Sequence, residues 1–287
     1  MSKTVHSPII LESEAHPLDN YLRNDRLPWI YCQGCGIGSM TNAYVHALER
    51  SGIDPKKTAI VSGIGCTGRG SGYLNIDGFH TTHGRAIPFA SGLVTANPEL
   101  NVTVFSGDGD LFAIGGNHII QAARRNMDIT VICNNNSIYG MTGGQCAPTT
   151  PVNFFSTTTP YGAFEPAFNL PYLMASAGAV FVARWTSLEI RRLTDSIEKA
   201  LKKPGFSFIE VITQCPTTFG RKNDYRLGLD MLRYFKDKSV IKHDIDPKNA
   251  PYVVGEEFYI GEFVNIEGRP TFNEMMGKIR EKATGGR

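Results

Sequence analysis

The stretch Val102-Thr-Val-Phe-Ser-Gly-Asp-Gly-Asp110 joins a short apolar run to a polar turn that contains two glycines. Twenty-six residues separate Gly109 from Asn136, which closes a second run of the same kind, Ile129-Thr-Val-Ile-Cys-Asn-Asn-Asn136. That interval holds one predicted helix and one predicted strand. Short apolar, β-branched runs that alternate with helices are typical of a parallel sheet. We therefore predict that both polar turns lie at the carboxyl edge of one sheet, where ligands bind in such folds.

The same alternation extends in both directions from this pair. Strands are predicted near 58–61, 102–105, 129–132, 179–184 and 206–212, and helices near 37–48, 84–96, 115–126, 171–177 and 188–202. The expected fold class is α/β, a mostly parallel sheet with helices on both faces and right-handed crossovers. Residues 1–28 contain three prolines and are expected to form an N-terminal extension, followed by the main domain over 29–215. Residues 216–287, with turns, charges and scattered aromatics, are predicted to form a C-terminal arm.

Composition excludes several classes of partner. The 287 residues are 41% hydrophobic, and the formal net charge is +2, which gives no electrostatic case for nucleic acid or an acidic membrane surface. The N-terminus lacks the basic start and apolar core of a secretory signal. No apolar run approaches the roughly 20 residues that span a bilayer. We expect a soluble, cytoplasmic protein.

The first polar turn has the composition of a phosphate and magnesium site. Gly107 and Gly109 allow close approach of the backbone to a phosphate, and the following helix N-terminus favours an anion. Asp108 offers a hard oxygen suited to Mg²⁺, and the neighbouring strand end would bring the Asn136 amide oxygen to the same ion. The alternative is an ordinary structural turn, in which Asp110 is a carboxylate at a helix N-terminus.

Four of the six cysteines form a pattern of candidate metal ligands. Cys32 and Cys35 form a CxxC before a helix, while Cys66 and Cys215 each follow a predicted strand. In a reducing compartment, cysteines in a chain of this size are ligands or buried thiols rather than disulfides. Cys133 and Cys146 are interpreted as buried, inert thiols. Four thiolates fit either zinc or a [4Fe-4S] cluster, and their spacing alone leaves both open.

Two resemblances to known enzymes reduce the number of possible ligands for the polar turn and for the cysteines. Gly-Asp-Gly, followed after 26 residues by an Asn-Asn pair, resembles the signature of thiamine-diphosphate enzymes. Taken together, the motifs over residues 28–220 resemble the beta subunits of 2-oxoacid:ferredoxin oxidoreductases, above all those specific for 2-oxoglutarate. These motifs are Cys32-x-x-Cys35, Gly63-Ile-Gly-Cys66, His83-Gly-Arg85, Gly107-Asp-Gly-Asp110, Ile138-Tyr-Gly-Met-Thr-Gly-Gly-Gln145 and Cys215-Pro216.

This resemblance implies two cofactor sites. Mg²⁺ would be held by Asp108, Asn136 and the backbone carbonyl of Ile138. The four ligands of a [4Fe-4S] cluster would be Cys32, Cys35, Cys66 and Cys215. Contacts to thiamine diphosphate would come from Gly65, Cys66, Thr67, His83, Gly107, Asp108, Gly109, Asp110, Asn136, Ile138, Gly140, Met141 and Thr142. The neighbouring coenzyme favours the cluster over zinc, because zinc cannot accept single electrons.

The reaction implied is the coenzyme-A-dependent oxidative decarboxylation of a 2-oxoacid to an acyl-CoA, or the reverse carboxylation, with electrons passing to ferredoxin. The activating glutamate would come from an alpha subunit, so we expect a hetero-oligomer, a dimer of heterodimers. Alternative substrates are pyruvate or a broad range of 2-oxoacids. Alternative functions are a cluster-free thiamine-diphosphate lyase or synthase and a zinc-bound scaffold without catalytic activity.

Two further side chains are candidates for catalysis. His83 is a hydrogen-bond donor for the diphosphate or the reacting carboxylate, or else a histidine that caps a helix. Arg69, three residues after Cys66, is a candidate partner for the distal carboxylate of 2-oxoglutarate, because a guanidinium binds carboxylates bidentately. The alternative for Arg69 is a solvated surface arginine.

Overall fold

The structure is a computed structural model, and it describes residues 18–285. The first 17 residues of the predicted N-terminal extension lie outside this range. The strands are β1 (Thr58–Ser62), β2 (Asp77–His80), β3 (Asn101–Gly107), β4 (Thr130–Asn135), β5 (Ile138–Tyr139), β6 (Gln145–Cys146), β7 (Phe181–Thr186), β8 (Ser207–Ile212), β9 (Ser239–Ile241) and β10 (Phe258–Asn265). The helices are α1 (Ile37–Ser51), α2 (Ala86–Ala96), α3 (Gly116–Arg124), α4 (Leu170–Ala177), α5 (Ile190–Lys202), α6 (Gly228–Lys238) and α7 (Phe272–Ala283).

Eight strands form one sheet in the order β2-β1-β3-β4-β8-β7-β10-β9, and β5 pairs with β6 as a separate antiparallel ribbon. Every neighbouring pair in the large sheet is parallel except β7 and β10. The predicted α/β fold with a mostly parallel sheet is confirmed. Among residues 18–285, no helix is long and apolar enough to cross a membrane.

The strands are apolar on both sides, so each face of the sheet needs a cover of helices. Ile60 of β1 packs in a core with α1, α5 and α6, whereas Ala59 and Val61 pack in a second core with α2, α3 and α4. This alternation follows from the two-residue period of a strand. The helices therefore lie on both faces, as predicted.

The register of the central strands aligns the segments that carry the polar motifs. Gly107 of β3 pairs with Asn134 of β4, and Asn135 pairs with Ile212 of β8. Because these strands are parallel, their carboxyl ends share one edge of the sheet. The turns after β1, β3, β4 and β8 consequently lie along one edge of the sheet.

The C-terminal segment differs from the predicted arm in its secondary structure. Residues 216–287 supply α6, α7 and two strands of the large sheet, and Phe235, Phe258 and Ile260 are fully buried. The signal for β10 was weak because its register shifts between Glu262 and Val264, which breaks the two-residue alternation. The domain boundary placed at residue 215 remains a prediction.

Candidate active site

A cavity at the carboxyl edge of the sheet brings together the residues that the resemblance assigns to thiamine diphosphate. All thirteen of them line this cavity, which we call the cofactor cavity. It is formed by the turns after β1, β3 and β4 and by the β5–β6 ribbon. The predicted set therefore converges on one place in the fold.

Asp108 is a buried carboxylate suited to a hard cation. Only 3% of the residue is exposed, and one carboxylate oxygen accepts a hydrogen bond from the Thr149 hydroxyl. Burial raises the pKa of Asp108 to about 7, while the hydrogen bonds from Thr149 and the Gly109 backbone partly oppose this increase. A buried carboxylate without a cationic partner is costly when ionised, and a divalent ion would compensate its charge.

The three consecutive asparagines have different environments. Asn134 accepts a hydrogen bond from the Thr213 hydroxyl, and Asn135 donates to Glu210 at 2.7 Å, so both amides are bound within the protein. Within residues 18–285, the Asn136 side chain accepts one hydrogen bond, from the backbone N–H of Ile138 at 3.2 Å. Asn134 and Asn136 both line the cofactor cavity, and Asn136 as the cation ligand stays a prediction.

Asp110 has a more specific environment than a carboxylate at a helix N-terminus. It is buried and accepts hydrogen bonds from the Ser106 hydroxyl at 2.6 Å, from Ile64 N at 3.0 Å and from Gly84 N at 2.8 Å. Its fourth partner is Nδ1 of His83. An ionised Asp110 can only accept, so this contact orients the ring with Nδ1 towards the carboxylate, and within residues 18–285 Nε2 has no hydrogen-bond partner.

Close packing explains one glycine of the Gly-Asp-Gly motif. A Cβ atom at Gly109 would lie 2.2 Å from a ring carbon of Tyr139. The Tyr139 hydroxyl also donates to the Gly109 carbonyl at 3.2 Å. The tyrosine ring therefore rests on the turn, and only glycine fits beneath it.

A second cavity is lined by the four predicted cluster ligands, Cys32, Cys35, Cys66 and Cys215. We call it the thiol cavity. It shares Cys66, Asn136, Gly140 and Met141 with the cofactor cavity. A Cβ atom at Gly140 would lie 3.7 Å from Cys66 Sγ and 3.6 Å from Cys215 Sγ. The missing side chain leaves open the space between these two thiols.

Two thiols of this cavity, Cys35 and Cys66, have a raised pKa. Burial raises the pKa of Cys35 to about 12 and that of Cys66 to about 11, and nearby thiols add to both shifts. Clustered thiolates therefore require a positively charged partner, which an iron–sulfur cluster or a metal provides. Between Leu18 and Gly285, no three His, Cys, Asp or Glu side chains converge as ligands of one ion.

The remaining cysteines and Arg69 lie outside both cavities. Cys133 is fully buried in the second core, as predicted. Cys146 is only partly buried, so its predicted burial is wrong, because its strand β6 belongs to the small ribbon outside the large sheet. Arg69 is exposed and lines a separate basic cavity with Arg23 and Arg26. The structure thus does not bring Arg69 into the cofactor cavity.

Sequence reasoning missed several residues that shape the site. Thr149 and Tyr139 contact the Gly-Asp-Gly turn from the loop after β4, where no periodic pattern indicates a direction. Glu210 lies in an apolar strand, and its charge in a buried run was the available signal.

Comparisons with known proteins agree with this site. Residues 63–211 match the family described as "Thiamine pyrophosphate enzyme, C-terminal TPP binding domain". This match and the fold make the chain a member of the thiamine pyrophosphate enzymes.

Relatives over the whole chain define a narrower family. The chain is 51% identical to the 2-oxoglutarate synthase subunit KorB of Methanothermobacter marburgensis, over 93% of this chain and 94% of that protein. It is 40% identical to the beta subunit of the 2-oxoacid:ferredoxin oxidoreductase of Saccharolobus solfataricus, over 78% and 71% of the two chains. The solved 2-oxoglutarate:ferredoxin oxidoreductase of Magnetococcus marinus, with 2-oxoglutarate, coenzyme A and succinyl-CoA bound, matches 96% of this chain and 93% of its own, with a TM-score of 0.84 and 31% identity. The chain belongs to the family of KorB-type beta subunits of 2-oxoacid:ferredoxin oxidoreductases.

Proposed function

We propose that this chain, with an alpha subunit, oxidises 2-oxoglutarate. In this reaction 2-oxoglutarate, coenzyme A and two oxidised ferredoxins give succinyl-CoA, carbon dioxide, two reduced ferredoxins and a proton; the same enzyme catalyses the reverse. The relatives' names and the ligands of the solved relative support this substrate. The strongest support within the molecule is the wall that the cofactor cavity shares with the thiol cavity.

The cofactor cavity is proposed to hold thiamine diphosphate and Mg²⁺. When bound, this coenzyme stabilises the negative charge that develops on the keto carbon as carbon dioxide leaves. Asp108, Asn136 and the Ile138 carbonyl would hold the cation, and Gly107 and Gly109 would admit the diphosphate to the backbone. His83 would donate from Nε2 when protonated, with its ring oriented by Asp110.

The thiol cavity is proposed to hold a [4Fe-4S] cluster through Cys32, Cys35, Cys66 and Cys215. Such a cluster accepts one electron at a time, and the oxidation releases two. Cys66 lines both cavities, so its thiolate would lie between the electron donor and the acceptor. This adjacency is what electron transfer requires, and it explains why a zinc site is the weaker candidate.

An alpha subunit is proposed to complete the active site. Thiamine-dependent chemistry needs a carboxylate beside the aminopyrimidine, and no glutamate of residues 18–285 lines the cofactor cavity. Two aspartates line this cavity, and both already have partners in the protein: Asp108 binds Thr149, and Asp110 binds His83. We therefore propose that the alpha subunit supplies the activating carboxylate.

The test is ferredoxin reduction by the anaerobically purified alpha–beta complex. We expect reduction to require both 2-oxoglutarate and coenzyme A, and to be slower with pyruvate at equal concentration. Omitting coenzyme A should abolish acyl-CoA formation and turnover. Decarboxylation of 2-oxoglutarate to an aldehyde without ferredoxin reduction would contradict the proposal and favour a cluster-free lyase.

A further inference from the structure

A strongly basic cavity lies beside the cofactor cavity and has no role in the chemistry described so far. Its polar lining includes Arg23, Arg26, Arg69 and His80, and no Asp or Glu of the described residues lines it. Thr67 lines the cofactor cavity, and Arg69 lines the basic one, while both belong to the same 3-10 turn, Thr67–Gly72. The two cavities are thus separated by one turn of the chain.

Two of the arginines are held in place by backbone contacts. Arg23 Nε donates to the Leu74 carbonyl at 2.9 Å, and Arg26 Nη1 donates to the Gly72 carbonyl at 2.9 Å. The backbone N–H of Arg23 also donates to the Tyr73 carbonyl, at 2.9 Å. Within residues 18–285, each of these two guanidiniums donates through one nitrogen, and its remaining donors have no hydrogen-bond acceptor there.

Among the described residues, little negative charge compensates the arginines of this cavity. The Asp25 carboxylate approaches Arg26 only to 4.0 Å, and both side chains are about half exposed or more. An ion pair of this kind contributes little. No other ion pair to Arg23, Arg26 or Arg69 occurs among residues 18–285. Three neighbouring guanidiniums, with Asp25 at 4.0 Å as their one carboxylate partner among the described residues, form a site for an anion of more than one charge.

We propose that Arg23 and Arg26 bind the phosphate-bearing end of coenzyme A, which rests on the coenzyme A dependence proposed above. A phosphomonoester carries about two negative charges near neutral pH and several strong acceptor oxygens. One substrate carboxylate would need only one guanidinium. Coenzyme A also has its thiol far from its phosphates, so it can react at the cofactor cavity while its charged end lies across the turn.

The test measures coenzyme A kinetics in the assembled alpha–beta enzyme with an R23Q/R26Q double variant. Arg69 is left unchanged, because it is also a candidate for the 2-oxoglutarate carboxylate. We expect KM for coenzyme A to rise roughly ten-fold or more, with kcat and KM for 2-oxoglutarate unchanged. The conservative variant R23K/R26K keeps the charge and should lie between. The matched control R125Q removes an exposed arginine elsewhere and should behave as wild type.

The acyl acceptor distinguishes the phosphates from the rest of the molecule. With pantetheine, which has no phosphate, the double variant and wild type should have equal kinetics. Overturning results are an unchanged KM for coenzyme A, an equal penalty with pantetheine, a selective rise in KM for 2-oxoglutarate, or loss of alpha-subunit binding on gel filtration. If wild-type enzyme needs no coenzyme A, the proposed function fails; if it does and the variant is unaffected, only this site fails.

Discussion

The Asp110 carboxylate is the point at which three loops of the active site meet. Its partners are Ser106 before it, Ile64 after β1, and the His83–Gly84 pair before α2. Gly63 packs so tightly here that a Cβ atom would lie 1.9 Å from an Asp110 oxygen. A single carboxylate therefore fixes both the histidine and the turn that leads to Cys66.

Asp110→Asn tests whether this carboxylate acts through His83. The amide cannot accept all four hydrogen bonds, so we expect kcat/KM of the complex to fall about ten-fold or more. In a His83→Ala background the same change should cost much less, which a double-mutant cycle measures. Independent, multiplicative losses would contradict a positioning role. Iron content of each variant controls for damage to the Cys66 turn.

Residue types and their spacing predicted which residues line the cofactor cavity but not their contacts. The Gly-Asp-Gly spacing and the strand ends predicted Asp108 and Asn136 on one edge, because parallel strands align their ends. The hydrogen bond between Asp110 and His83 spans 27 positions, and no periodic pattern connects them. The contact of Thr149 with Asp108 could not be predicted either, because Thr149 lies in an irregular loop.

Arg69→Ala tests the proposed partner of the distal carboxylate. If the guanidinium pairs with that group, catalytic efficiency should fall about ten-fold or more with 2-oxoglutarate and remain nearly constant with pyruvate. Steady-state kinetics of the complex with both substrates measure this difference. Equal losses with the two substrates would exclude a specificity role. A selective rise in KM for coenzyme A would instead assign Arg69 to the phosphate site.

At the scale of secondary structure, a buried charged row crosses three neighbouring strands. Arg184 of β7 and Glu210 of β8 form an ion pair at 2.5 Å, and Glu210 also accepts from Asn135 of β4 at 2.7 Å. Arg184 continues the row by donating to the Ala250 carbonyl at 2.6 Å. The row thus ties the strand end that carries Asn136 to the C-terminal segment.

Glu210→Gln should destabilise the chain strongly, because it leaves Arg184 charged and buried without a counterion. The expected loss is about 3–5 kcal/mol in the free energy of unfolding, measured by denaturant titration. Glu262→Gln is the matched control, since its ion pair with Lys199 is partly exposed and should contribute at most about 1 kcal/mol. Similar losses in the two variants would show that the buried ion pair contributes no more to the free energy of unfolding than the partly exposed one.

Elements with strong local signals were predicted well, and those that depend on distant partners were not. Predicted strand 58–61 and predicted helix 84–96 correspond closely to β1 and α2. The edge strand β2 has a polar, exposed sequence, and β10 has a bulge, so neither shows the expected pattern. These two segments form strands because the neighbouring strands pair with them, and such tertiary context often outweighs the local preference of a strand sequence.

At the scale of the whole molecule, the part of the chain that the structure describes contains both cavities, but none of its glutamates lines the cofactor cavity. The purified chain, loaded with thiamine diphosphate and Mg²⁺, should therefore show no measurable 2-oxoglutarate-dependent reduction of ferredoxin. Addition of the alpha subunit should restore turnover, with an activity that depends on the ratio of the two chains. Full activity of the isolated chain would contradict the proposed division of the active site.

The most direct test of two adjacent cofactors on one sheet edge is iron and sulfide analysis of the anaerobically reconstituted full chain. The account predicts a brown protein with about four iron and four sulfide per chain and a paramagnetic signal on reduction. Cys66→Ser should lose most of this iron, whereas Cys133→Ser should retain it. A colourless chain with one zinc, or equal iron loss in both variants, would contradict the account.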